Sequence, residues 1–425
     1  MPPIRFIHAA DLHLDAAFSG LSRDIPADFA ERLRTATFTA FRRLLDLCER
    51  ESPDFLLLAG DVYNQEDASV SAQLALRDGF RRLESLSIPV FLVHGNHDPL
   101  ASRLRSVRWP GNVTVFGELP DAVPVFRKGE GTPLAIIHGA SHASGRETRN
   151  LAALFRRTEA CGLHVGLLHA TPGDADGVAR YAPFSQEDLK ASGMDYWALG
   201  HIHDRREVCR EPLAAYPGCT QGLHINEPGE KGCLLVTAEA RPDGGYAVRT
   251  SFRPLGPAVW KTLDMDLGGA ASLDELENRL RTGLDRAAAE VWSGCEMLFV
   301  RLRLQGRTEL DGLLRKGTTC AELADRLRED GSGVPRIWIK DIDVATRPCV
   351  ERGALLERED LLGEVFRLSE AARTASGLQA LREGPLAPLF AHARAGKALE
   401  PLTDEELARL LDDAESLCLD LLEND

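Results

Sequence analysis

Residues 55 to 61 read FLLLAGD: five apolar side chains in a row, then a glycine and an aspartate. A run that is apolar on both of its alternating faces has no wet side, so it marks a strand buried in the middle of a layered sheet. The pattern recurs outward in both directions. IRFIHAAD (4–11), VFLVHGNHD (90–98), LAIIHGASH (134–142), HVGLLHA (164–170) and YWALGHIHD (196–204) each end a short apolar run in a cluster of His, Asp or Asn. Between the first two runs, Phe29, Leu33, Ala36, Ala40, Leu44 and Leu47 recur at three- and four-residue spacing and predict an amphipathic helix; residues 69–86 predict another before Pro89. Alternation of this kind predicts an α/β sandwich. After His203 the character changes to CLLVTAE (233–239) and YAVRTSF (246–252) between Gly and Pro turns, and these are expected to form a second sheet.

A Pro/Gly cluster ahead of GPAVWKTLDMDL (256–267) marks a boundary. Beyond it the pattern predicts strand 261–266, helix 273–290, strand 296–304, helix 319–329 and strand 336–344, a second and smaller α/β domain. Ser272 with Glu275 and Thr319 with Glu322 stand at capping-box spacing for its helices. Past Pro348 the chain is acidic and leucine-rich, with helices expected at 354–375 and 403–423. The domains are therefore read as 1–256, 257–348 and 349–425. Leu402, Thr403, Glu406 and Leu407 form a staple and capping box, and Leu407, Leu410, Leu411, Ala414, Leu417 and Leu421 make one stripe that is expected to be buried, against the chain itself or a partner.

With 425 residues, 44% hydrophobic, the chain can bury real cores, which excludes fibrous and wholly disordered classes. The net charge is −15, and 9 of those excess negative charges lie in residues 351–425. Bulk coating of nucleic acid is excluded by that balance, though not a local basic groove. Nine scattered cysteines without a C-x-x-C pair suit reduced thiols. No leader pattern and no window of 18 apolar residues stand out, so a cytoplasmic protein without a membrane partner is expected.

Every apolar run of the first half ends in a metal-ligand residue type, and the carboxyl ends of strands are where α/β sheets bind ligands. Asp11-x-His13 and His201-x-His203 fit one ion if they are extended, because residues i and i+2 then share a side. Asp61 follows a buried strand and a glycine, which suits a bridging carboxylate. Asn96 offers an amide oxygen, His169 an imidazole, and His97 a group for the substrate. Two Asp, one Asn and four His for coordination, with no thiolate, suit two divalent transition metals, Mn(II) first, with Fe or Zn as alternatives.

The order D-x-H, GD, GNHD, H, GHxH resembles the calcineurin-like metallophosphoesterase superfamily. Within it, the ADLHLD opening and YPGCTQGLHINEPGEKGCLLV (216–236) resemble the SbcD-type DNA repair exonuclease subunits, in particular the YhaO-like branch. The resemblance implies a four-layer metallophosphoesterase sandwich with a smaller α/β capping domain and C-terminal helices. It implies Asp11, His13, Asp61 and His203 around one metal, Asp61, Asn96, His169 and His201 around the other, and His97 as transition-state stabiliser or general acid. Two positions depart from the pattern: Asn64 stands where related nucleases carry a histidine, and Leu223 where an arginine is usual.

Arg103, Arg105 and Arg108, Arg146 and Arg149, and Arg205 and Arg206 trail the ligand-bearing runs and are candidates for backbone phosphates, as surface arginines are also expected to be simply solvated. His224 is a further substrate-binding candidate. His8, His94, His138 and His142 fit either a supporting role or an ordinary hydrogen-bonded one, and His164 and His392 receive none. The expected function is a manganese-dependent hydrolase acting on DNA, an exonuclease or endonuclease of DNA repair using metal-bound hydroxide. Phosphoesterase activity on nucleotides or small phosphate esters, and a mainly regulatory role, are the alternatives. The partners implied are DNA and an SbcC-like coiled-coil ATPase met by the C-terminal helices, with a homodimer left open.

Overall fold

The computed structural model describes residues 2–21, 25–63, 69–101, 107–173, 180–242, 244–329, 333–349, 352–391 and 402–422. The chain divides into two units: Met1–Leu263 with Arg281–Leu302 and Leu323–Ile342, and Asp264–Leu280 with Arg303–Glu322 and Asp343–Asp425.

In the first unit the apolar runs become strands. β1 (Ile4–Ala9), α1 (Ala27–Glu51), β2 (Phe55–Ala59), α2 (Val70–Ser85), β3 (Val90–Val93) and β4 (Val113–Val115) are followed by β5 (Asp121–Val125), β6 (Ala135–Ala140), β7 (Leu163–His169), α3 (Gln186–Ala191) and β8 (Tyr196–Gly200). β9 (Arg206–Arg210), β10 (Leu213–Tyr216), β11 (Gly232–Ala240) and β12 (Tyr246–Pro254) complete two six-stranded sheets, ordered β12-β11-β1-β2-β3-β4 and β5-β6-β7-β8-β10-β9. β1, β2, β3 and β4 run parallel, as do β6, β7, β8 and β10.

The alternation within FLLLA shows why both faces had to be apolar. Leu56 and Leu58 meet Phe41, Leu44, Leu76 and Phe80 of α1 and α2. Phe55, Leu57 and Ala59 turn the other way and pack with Ile137, Val165, Leu167 and Tyr196 of the second sheet. On the far side of that sheet, Leu168, Trp197 and Leu199 pack with Phe155 and with Leu189 of α3. Helices, sheet, sheet and helix therefore stack as four layers, a mixed α/β sandwich.

The expectation for CLLVTAE and YAVRTSF is corrected. They become β11 and β12 and extend the first sheet, with Val236 of β11 opposite Phe6 of β1 in antiparallel register. Without them β1, apolar on both faces, would leave one row of backbone groups unpaired at an edge. The second sheet is built instead around β6, β7 and β8.

The later elements follow the expected order: β13 (Ala258–Asp266), α4 (Leu273–Glu290), β14 (Met297–Thr308), α5 (Asp311–Leu314), α6 (Thr319–Glu329) and β15 (Arg336–Pro348). β13, β14 and β15 form a three-stranded sheet in that order. Ser272 caps α4 by accepting from the Glu275 N–H at 3.2 Å. Thr319, expected as a cap, is already the first residue of α6.

In the second unit the helix expected at 354–375 is three pieces, α7 (Arg352–Leu356), α8 (Leu361–Ala372) and the start of α9 (Ala375–Glu383), followed by α10 (Ala387–Ala391) and α11 (Asp404–Leu422). Side-chain caps impose the breaks: Asp360 accepts from Gly363 N–H and Thr374 from Gly377 N–H. At α11 the Thr403–Glu406 capping box forms in both directions. Within the chain itself the expected stripe is not buried beyond Leu407. Leu407 and Leu419 are buried, Leu419 with Leu355, Leu362 and Phe366, whereas Leu410, Leu417 and Leu421 are exposed. The buried face is held by charge as well: Glu415 accepts from Arg352 and, at 3.2 Å, from Arg373. Among the described residues no helix is long and apolar enough to cross a membrane.

Candidate metal centre

The parallel register levels the strand ends, so Asp11, Asp61 and Asn96 leave the first sheet beside His169, His201 and His203 of the second. The extended geometry expected for the two x-separated pairs is corrected. Asp11 (φ 51°), His13 (φ 41°), Asp61 (φ 50°) and His201 (φ 103°) are all left-handed. Each such residue costs on the order of 1–3 kcal/mol and persists only where its surroundings fix it. Here the loops after β1 and β2 zip together: Asp11 N–H donates to Gly60 O, His13 N–H to Asp61 O and Leu14 N–H to Val62 O, at 3.0–3.1 Å. Across the sheets, His201 N–H donates to the Asp11 carboxylate at 3.0 Å.

Two glycines permit this crowding. A Cβ on Gly95 would lie 2.2 Å from Asp61 Oδ1, and one on Gly200 would lie 1.8 Å from Ala59 O. Only glycine lets these chain segments approach so closely.

The donor atoms collect in two groups, Asp11 with His13 and His203, and Asp61 with His169 and His201, each within 4.8 Å. His13 Nε2 lies 3.2 Å from His203 Nε2, and Asp11 Oδ1 lies 3.7 Å from His203 Nε2 and 4.0 Å from His13 Nε2. Asn96 Oδ1 is 3.1 Å from His169 Nε2 and 3.2 Å from His201 Nδ1. Asp61 Oδ2 stands between the groups, 3.3 Å from His169 Nε2 and 3.9 Å from His13 Nε2. Donors that share one transition-metal ion at 2.0–2.2 Å sit roughly 3 to 3.5 Å from each other. The residues therefore fit a pair of cations, and a proton alone would not gather so many acceptors.

Electrostatics agrees. Burial would raise the Asp61 carboxyl, but the imidazoles of His169, His13 and His97 hold it far below the usual carboxylate range. Asp11, dominated by burial and facing Asp61, is raised. His169 rises to about 9 against its own burial because Asp61 faces it, while burial lowers His13. The Nδ1 of His169 is fixed by a hydrogen bond to Ala59 O at 2.9 Å, leaving Nε2 toward Asp61. His97 is exposed; its ring centre lies 5.2 Å from that of His13, and its backbone N–H donates to Asp61 Oδ1 at 3.0 Å.

Two acidic residues went unmarked in the sequence reading. Asp98 accepts from Gly95 N–H (2.7 Å) and Val62 N–H (3.0 Å), tying the Asn96 loop to the Asp61 loop. Its signal was its place inside GNHD. Glu227 lies 2.5 Å from His203 Nδ1 and had no signal beyond lying in the 216–236 segment.

The remaining candidates divide. Arg103, Arg105 and Asn64 lie outside the described residues, as does His392. Arg108 lines a cavity of about 470 Å³ with Tyr63, Gln73, His94 and Trp109. Arg205 and Arg206 are exposed and lie over Phe252 (4.1 Å) and Tyr216 (5.6 Å). Arg146 is exposed and Arg149 is paired with Glu147. His224 Nε2 is 3.3 Å from Glu227 Oε1. His8 bonds Tyr196 and Leu199 O in the core, His138 pairs with His164, His142 donates to His169 O, and His94 Nδ1 is 3.4 Å from Asp98.

Residues 4–205 match the calcineurin-like phosphoesterase family, and residues 260–347 match the middle domain of metallophosphoesterase YhaO. The chain is 34% identical over 388 residues to an uncharacterized metallophosphoesterase YhaO of Bacillus subtilis (strain 168), covering 90% of this chain and 91% of that one. It is 27% identical over 319 residues to the DNA double-strand break repair protein Mre11 of Aeropyrum pernix, covering 68% and 69%. Among solved structures, a dimetal phosphatase from Danio rerio aligns with 59% of this chain and 99% of its own at 13% identity, with a TM-score of 0.34.

Proposed function

The chain belongs to the calcineurin-like metallophosphoesterase family, and on that premise we propose that it hydrolyses phosphodiester bonds in DNA, as an SbcD-type nuclease of DNA repair working in the cytoplasm. The observation that carries the chemistry is the convergence of Asp11, His13, Asp61, Asn96, His169, His201 and His203 at one edge shared by two sheets. Similarity to Mre11 proteins, named for DNA double-strand break repair, supports the substrate class.

Asp11, His13, Asp61 and His203 would hold one divalent cation and Asp61, Asn96, His169 and His201 the other, with Mn(II) the metal proposed. Such a pair, when bound, polarises phosphate oxygens and activates water at neutral pH. Asp61 keeps its negative charge at the centre of both groups. His97, exposed beside His13, is the side chain we assign to the leaving oxygen, where it donates a proton. The exposed Leu410, Leu417 and Leu421 of α11 support docking of an SbcC-like coiled-coil ATPase, an apolar helix face meeting a groove.

Turnover assays with Mn(II) on linear DNA, hairpin DNA, a chromogenic phosphodiester and a phosphomonoester test the reading. Cleavage of DNA that disappears on chelation is expected. Hydrolysis of the small esters with DNA left intact would overturn the substrate, and no hydrolysis at all would overturn the catalytic reading.

A further inference from the structure

His203 is a ligand candidate without a strand to hold it. β8 ends at Gly200, and His203 lies three residues on, in a loop. One short segment grips it from every side. Cys219 N–H donates to His203 O at 3.2 Å, and Lys231 Nζ donates to the same oxygen at 3.1 Å. The ring is held by Glu227, whose Oε1 is 2.5 Å from Nδ1. Glu227 is itself only 7% exposed and its other oxygen accepts from Leu223 N–H at 2.7 Å. The turn is closed by Glu227 N–H donating to His224 O at 2.9 Å. A carboxylate placed so deep, with both oxygens engaged, cannot drift to solvent.

We infer that Glu227 is a positioning residue for the metal centre: it holds the Nδ1–H tautomer of His203, so that Nε2 is the atom presented beside Asp11 and His13. The inference rests on the two-cation reading given above. A neutral imidazole has one N–H and one lone pair, and the partner of the N–H decides where the lone pair points. With Nδ1–H directed to Glu227, the lone pair falls on Nε2, 3.7 Å from Asp11 Oδ1 and 3.2 Å from His13 Nε2. The opposite tautomer would aim a proton into the donor cluster and leave the buried carboxylate facing a lone pair.

The two donor groups therefore differ in what stands behind them. His169 is oriented by a neutral backbone carbonyl, Ala59 O. His203 is oriented by a carboxylate, which also makes the ring a stronger donor. Removing Glu227 should weaken one cation and spare the other. Partners of this kind are worth about 10- to 100-fold in metal affinity.

The test uses the full chain stripped of metal. First, ¹⁵N-histidine spectra of the wild-type chain above pH 9 should show His203 with its proton on Nδ1; a proton on Nε2 would overturn the inference without any variant being made. Second, Mn(II) titrations of the wild-type chain and of Glu227→Gln and Glu227→Ala should show one of two equivalents weakened by about 10- to 100-fold with the other unchanged. In Glu227→Ala the His203 tautomer should also become mixed. Equal weakening of both equivalents, or none, would overturn the assignment. Cys219 lies with His203 and Glu227 in a third cluster of ligand types, so Cys219→Ala is the control: both equivalents should be retained, and loss of one would make the cluster a metal site in its own right and overturn the positioning role. If the wild-type chain binds fewer than two equivalents, it is the two-cation reading that fails, and the tautomer still decides the role of Glu227.

Discussion

The edge where β1, β2, β3, β7 and β8 end and the helices of residues 352–422 were equally marked in the sequence by spacing, yet only at the edge does the spacing say which side chains come together. At the edge, parallel register forces every strand end to one level, so polar residues that follow apolar runs have nowhere to go but together. In the helices, a wheel of apolar residues leaves two choices of face. Leu407 and Leu419 turn inward with Glu415 between them, and Leu410, Leu417 and Leu421 turn outward. The buried Glu415, paired with Arg352 and Arg373, overrules the face that hydrophobicity alone would choose. Topology thus fixes convergence, whereas amphipathicity fixes only a period.

The contrast can be broken most forcefully at Asp61. Asp61→Asn should take metal-dependent hydrolysis below detection while the circular dichroism spectrum of the metal-free chain stays close to wild type, since the side chain lies at the edge and not between the layers; the stability that Asp61 confers through His169 should be lost with it. A variant that unfolds would mean that the edge is as structural as the core. At the next rank, His97→Ala should lower turnover by on the order of a hundredfold with both equivalents of metal retained; metal analysis showing one equivalent lost would make His97 a ligand.

Smaller effects come from pH acting on the metal-free chain. His8 is buried and its pKa is lowered to about 3, so its contribution is present above the ordinary histidine value near 6.5 and is lost as the pH falls from there toward 3. His169, raised to about 9, contributes below 6.5 and loses that contribution as the pH rises through 9. Each arm amounts to on the order of 3 to 5 kcal/mol. Denaturation midpoints measured from pH 4 to 10 should pass through a maximum between the two arms; a flat profile would refute it, and His8→Gln should make the acid arm shallower, with His138 and His142, both lowered to about 4 by burial, carrying the remainder, and leave the alkaline arm unchanged.

The smallest effects sharpen the reading of the helices. Leu419→Ala should cost about 2–5 kcal/mol as a core truncation, and Leu417→Ala, two residues away, should stay within about 0.5 kcal/mol. Chemical denaturation of the two variants compares them directly, and equal losses would put the outward face in the core.

What the sequence made legible was order and spacing: FLLLAGD as a doubly buried strand, the strand ends as the site, the α/β pattern of 258–348. What escaped it was long-range pairing and backbone conformation. Nothing local in CLLVTAE says that it will lie beside β1, 230 positions earlier in the chain, because strand pairing is decided by which buried edge is left open. Nothing in D-x-H says that both residues will be left-handed, because that strain is carried by hydrogen bonds donated to the carbonyls of the GDV loop. Glu227 escaped for the same reason: its partner is 24 residues away, and no spacing rule links them.

The seam between the two sheets has a mechanical consequence. Four donors ride on one sheet and three on the other, so the gap between them is set by whatever fills the seam, as the opening of a vice is set by the block between its jaws. Leu57, Phe91, Ile137 and Leu167 are that block. Trimming one of them would move no reacting atom directly, yet it would let the jaws shift by a fraction of an ångström, and the calibre of the centre would change with it.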